Sequence, residues 1–184
     1  GLTGQFSASG TNVSQYSRWY QEGGWFRSDR SGTDYASINA ELGKFLNSAV
    51  SMTTAATQAY ANAIGLSADA VIGFSQSVNI SLKGLDDAAK EKAIAAAITG
   101  FGDAMAQTAY GATLSVFAKS GESASVTLAR LGNSLMTVNQ VLGTLNQSLL
   151  ATSAIGADAA SKLLDLVGGT EAFTSLTTAY YQSI

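Results

Sequence analysis

The chain has 184 residues, enough for about one domain with a core of its own. Hydrophobic residues make up 46% but charged residues only 12%, about half the usual share, so faces covered by partners or by copies of the same chain are expected. The formal charge of −3 gives no basic stripe for phosphates, and the lack of Cys and His removes disulfides, common zinc sites and Ser-His-Asp or Cys-His catalysis.

The first 30 residues hold both Trp residues and read as strands. Leu2, Gly4, Phe6 and Ala8 alternate with Thr3, Gln5 and Ser7, the period of two expected when one face is buried. Tyr16 to Tyr20, then Gln21-Glu22-Gly23-Gly24, then Trp25-Phe26 predicts a hairpin, because adjacent glycines supply the positive φ of a tight turn.

From Ile38 the period changes. Ile38, Leu42, Phe45, Ala49, Met52, Ala56, Ala59 and Ala63 form a heptad stripe on one predicted helix, with Gly65 as its C-terminal stop. A break over Leu66 to Leu85 holds the alternation Val78, Ile80, Leu82, which predicts a strand near 77–83 returning to the N-terminal sheet. Asp86 or Asp87 offers the N-cap of a helix running to about Ala118, ended by Ser120-Gly121.

Leu128, Leu131, Leu135, Val138, Leu142, Leu145 and Leu149 keep strict three-four spacing and predict a helix in a helical interface. Its flanks are mostly Asn, Gln, Ser and Thr, so ion pairs do not specify the partner. A last helix is expected after Gly168-Gly169, capped by Thr170, with Phe173, Leu176 and Tyr180 on one face. The absence of proline suits long helices. The expected fold is α+β and mostly α, with long helices in a bundle or coiled-coil-like core and a small antiparallel sheet from the N-terminal region and residues near 77–83. One domain over 1–184 is expected, strand-rich over 1–32 and mainly helical over 33–184. An opening Gly1-Leu2-Thr3-Gly4 without Met, and an end at Thr177 to Ile184 still in helical pattern, fit a piece of a longer chain.

Without His or Cys, the catalytic option left open is a glycosidase-type carboxylate pair, for which Glu22, Asp29 and Asp34 are candidates; turn and capping roles explain them more simply. Asp29 to Asp34 lacks the acidic third position, the sixth-position Gly and the distal Glu of a calcium loop, so no metal and no cofactor are expected. Gly100 and Gly102 read as close-packing glycines within a helix. Ala93 to Ala118 is long enough to span a bilayer, but Asp103 near its centre costs about 2.5 to 3.5 kcal/mol on insertion scales, and a water-facing helix is favoured over a membrane-inserting translocator. Trp19, Tyr20, Trp25 and Phe26 beside Arg18 and Arg27 read as a small sheet core rather than a stacking platform.

Three motifs stand in order along the chain: Gly23-Gly24-Trp25-Phe26-Arg27-Ser28-Asp29; Phe117-Ala118-Lys119-Ser120-Gly121-Glu122 followed by Leu128-Ala129-Arg130-Leu131; and Val167-Gly168-Gly169-Thr170-Glu171-Ala172-Phe173 leading to Tyr180-Tyr181. Together they resemble the C-terminal region of tape measure proteins of long-tailed, siphovirus-type phages. The resemblance implies a virion protein in the tail lumen or at the tail tip, usually in three copies, that sets tail length during assembly and contacts tail tube and tip or baseplate hub proteins. It further implies exit from the tube on infection, possible membrane contact and help for DNA crossing the host cell envelope, with no sequence-specific nucleic-acid binding. Some family members carry peptidoglycan-cleaving domains, but no motif here transfers a catalytic residue, and the chain is expected not to be an enzyme.

Overall fold

In the computed structural model, residues 1–23, 25 and 28–183 are described, apart from the side chain of Trp19. The chain divides into two compact units, Gly1–Thr53 with Ile72–Phe101, and Thr54–Val71 with Gly102–Ile184. Helix α1 (Ala40–Ala63) and helix α2 (Asp87–Leu114) each give their first half to the first unit and their second half to the second.

The first unit is built on a curled antiparallel sheet in which strands β1 (Leu2–Ser7), β2 (Gly10–Gln21), β3 (Arg30–Ser37) and β4 (Ser75–Ile80) stand in the order β3-β2-β1-β4. β1 is central because its short tether to β2 makes one hairpin while β4 returns along its other edge, with Leu2 opposite Ile80 and Phe6 opposite Gln76. Leu2, Phe6, Val78 and Ile80 are buried, together with Leu46 and Val50 of α1 and Ile94 and Phe101 of α2. The Phe101 ring packs edge-on against Phe6 with centroids 5.9 Å apart, and lies 5.6 Å from Phe74.

Three expectations about this unit are corrected. The N-terminal hairpin does not return at Trp25: β2 runs to Gln21 and its partner β3 begins only at Arg30, so Trp25 sits in the connection, while Gly24 and Phe26 of the expected turn lie outside the described residues. Of the large aromatics there, Tyr20 and Trp25 are not sheet core, being 66% and 94% exposed, while the Trp19 side chain and Phe26 lie outside the described residues. The buried stripe of α1 is Leu46, Val50, Thr54, Thr57 and Ala61, continued by Ile64 just past its end; it is displaced from the expected one and leaves Phe45 and Met52 exposed. Two threonines in the stripe hid it from a count of apolar residues alone.

The second unit holds α3 (Ala124–Thr144), α4 (Ala154–Val167) and α5 (Thr170–Ser183), with a single-turn helix at Ala68–Val71. α4 was not anticipated from the sequence. Ser153 accepts from Gly156 N at 3.0 Å as its N-cap, and Gly168, at φ 95°, closes it with Gly169 N donating to Leu164 O at 2.7 Å. Gly168-Gly169 thus ends one helix as well as opening the next.

The five helices are not the long bundle or coiled coil that the heptad spacing predicts. α3 is followed by an abrupt turn at Asn146, at φ 59°, and its apolar face packs on the short helices α4 and α5 of the same unit. Gly132 lets α1 approach closely: a Cβ there would lie 2.8 Å from the Tyr60 ring and 3.3 Å from its Cα. Among the described residues no helix is long and apolar enough to cross a membrane; α2 stops at Leu114, short of Ala118.

Candidate interaction surface

Asp29 closes the β2–β3 connection. Tyr20 Oη donates to its Oδ2 at 2.6 Å and Gly23 N donates to its Oδ1 at 2.8 Å. The phenol bond first, and the amide second, hold the Asp29 carboxyl below its usual range, and the same bond pushes the Tyr20 phenol up. Glu22 stands exposed in the same connection, and Asp34 lies on β3 opposite Ser17. Asp29 spends both oxygens holding the β2–β3 connection. Of the first motif, Gly23, Trp25, Ser28 and Asp29 fall in this connection, while Gly24, Phe26 and Arg27 lie outside the described residues. Among the described residues no cluster of three or more acidic side chains is placed to hold a metal ion.

The leucine series divides. Leu128, Leu131, Leu135 and Val138 are buried within the second unit, Leu142 and Leu145 are half-buried at the end of α3, and Leu149 is 59% exposed beyond it. Four of the seven positions are therefore core of one chain.

The second motif contains a polar knot that the sequence pattern did not reveal. Arg130 Nε donates to Glu122 Oε2 at 2.7 Å and Nη2 to Glu122 Oε1 at 2.9 Å. Nη2 also donates to Phe117 O, and Nη1 to Ser161 Oγ on α4, both at 2.7 Å. Glu122 further accepts from Lys119 N and Thr127 Oγ1, both at 3.0 Å. The guanidinium beside it outweighs partial burial and holds the Glu122 carboxyl down to about 2. One guanidinium thus ties both ends of the α2–α3 connection, and α4, to α3. Asp103 makes a second tie within this unit, accepting from the amide and the hydroxyl of Ser125 in the first turn of α3.

What these ties leave uncovered is α5. Phe173 is its one buried side chain, whereas Leu176, Tyr180 and Tyr181 are 57%, 58% and 57% exposed. Beside them a groove of about 170 Å³ opens between the end of α3 and α5, with Val141, Leu145, Thr177 and Tyr181 in its walls. The face expected from Phe173, Leu176 and Tyr180 is therefore split, with the first anchoring the helix and the other two open to water.

No protein-family model matches the chain, and neither characterised proteins nor solved structures show significant similarity to it.

Proposed function

We propose that this chain is a structural segment of a phage tail, a tape measure segment near the tail tip that acts in tail assembly, length determination and genome delivery through the cell envelope. The observation that carries this reading is the open apolar face of α5, where Leu176, Tyr180 and Tyr181 remain more than half exposed on a chain with few charges. Contacts with tail tube and hub proteins, and with two further copies of the chain, would bury that face. The ordered motifs and the absence of His and Cys support a structural rather than an enzymatic role. Because α3 spends the first part of its leucine seam inside one chain, the contact between copies is assigned to α5.

Two measurements test this. Peptides of the chain should be found by mass spectrometry in tails purified from the particles that encode it; recovery only from the soluble lysate would overturn the tail assignment. Sedimentation over a concentration series should show a trimer that Leu176→Glu with Tyr180→Glu dissociates. A monomer at every concentration for both proteins would overturn the three-copy arrangement.

A further inference from the structure

Within the first unit, a groove of about 500 Å³ opens where β2 meets the β4–α2 connection. Its charged side chains are Arg18 from β2, Lys83 from the connection and Lys90 from the first turn of α2, and Gln15, Ser17 and Ser81 add hydrogen-bonding groups. No carboxylate lines it. Arg18 is placed over a fixed platform: its Cζ lies 5.7 Å from the Tyr16 ring centre, and that ring is 8% exposed and anchored by Tyr16 Oη donating to Asn79 Oδ1 at 2.9 Å.

Of the described cations elsewhere in the chain, three stand in ion pairs, while Arg30, Lys44 and Lys92, like those of the groove, do not. Lys119 pairs with Asp165 at 2.9 Å, Arg130 with Glu122 at 2.7 Å and Lys162 with Asp158 at 2.8 Å. Among the described residues no such ion pair involves Arg18, Lys83 or Lys90. The adjacent Asp86 is occupied as the cap of α2, its Oδ1 accepting from Ala89 N at 2.8 Å. Lys90 also stands in the first turn of a helix, where the backbone dipole disfavours a cation. Three like charges thus line one groove whose walls hold no carboxylate.

We propose that this groove binds a phosphate group. A guanidinium offers a planar pair of donors to phosphate oxygens, the two ammonium groups supply point charges, and the Ser81 hydroxyl can donate to what remains. The groove, about 500 Å³, has room for a phosphate carried on a larger body. That body is either a small phosphate ester or a phosphodiester chain, and the chemistry at the groove is the same for both.

The test is a titration followed by amide NMR at low salt, with pyrophosphate in one arm and a short single-stranded thymidine oligonucleotide in the other. Saturable shifts confined to Ser17, Arg18, Ser81, Lys83 and Lys90 are expected with at least one probe, weakened about tenfold or more in Lys83→Ala with Lys90→Ala, as loss of charge-assisted bonds implies. The exposed Arg18→Gln serves as an independent variant and should weaken binding likewise. If the oligonucleotide binds here with a log-affinity to log-salt slope of about −2, the source is a phosphodiester chain; if pyrophosphate alone binds, it is a small ester. Shifts that do not saturate, that spread equally to Lys44, Lys92 and Lys162, or that persist in both variants would overturn the proposal.

Discussion

Arg130 and Glu122 face each other through two parallel contacts, Nε to Oε2 at 2.7 Å and Nη2 to Oε1 at 2.9 Å, with side chains only 15% and 11% exposed. Because the guanidinium also holds Phe117 O and Ser161 Oγ, removing it strands acceptors in the α2–α3 connection and on α4. Arg130→Met should therefore destabilise the protein by about 3 kcal/mol or more, the cost of leaving a buried partner uncompensated. Arg130→Lys keeps the charge but not the fork, and should recover only part of the loss. Urea unfolding of the three proteins measures both steps; equal stabilities would mean that the knot contributes nothing.

The same pair sets a pH dependence. Glu122 stays ionised in the folded protein down to about 2, against an ordinary value of 4.5. Between these values the unfolded chain binds the extra proton, so folding stability is complete above about 4.5 and is lost as the pH falls toward about 2. The loss from this group is at most roughly 3 kcal/mol. Asp29, held low by Tyr20 and then by the Gly23 amide, acts in the same direction from an exposed turn. Denaturation midpoints over acid pH should fall less steeply in Glu122→Gln than in the unaltered protein.

The leucine series gives an internal control. Leu131 is fully buried at 0% exposure, and its replacement by Ala should cost about 2 to 5 kcal/mol. Leu149 is 59% exposed beyond the end of α3, and Leu149→Ala should change stability by less than about 0.5 kcal/mol. A continuous intermolecular seam would instead make the two losses similar and dependent on protein concentration. Thermal unfolding at two concentrations separates these cases.

Why the seam misled is physical. Three-four spacing reports that one helical face is apolar, but not whether the face is covered by another chain or by the same one. α4 covers it, and its own signal is weak: the buried positions Gly156, Ala157, Ala160 and Ser161 are small, and only Leu164 is large. Ser153 and Gly168 were the legible marks, a cap before and a left-handed stop after. The alternations at Leu2 and Phe6 and at Val78 and Ile80 survive as buried sheet positions because period two leaves few alternatives. In α1, by contrast, Thr54 and Thr57 occupy buried positions, so a purely apolar count picked the neighbouring face. The knot of Arg130 with Glu122 lay within the second motif, yet Glu122 precedes the cap of α3 and Arg130 stands on its second turn, so no apolar periodicity pairs the two.

Gly100 supplies the last case. A glycine at a helix interior suggests close packing, but a Cβ built at Gly100 meets nothing within 4 Å, and the residue is exposed on α2. The packing role expected of it is therefore corrected, whereas its neighbour Gly102 is buried. With no clash to offset, Gly100→Ala should stabilise the protein by about 0.5 to 1 kcal/mol, since alanine loses less backbone freedom on folding into a helix. Gly132→Ala should act oppositely, because the added methyl is crowded against the ring and backbone of Tyr60, and overpacking of this kind costs about 1 to 3 kcal/mol. Chemical denaturation of the two single variants measures the contrast. A loss at Gly100 comparable to that at Gly132 would place a neighbour against α2 in solution, and its dependence on protein concentration would tell whether that neighbour is another copy.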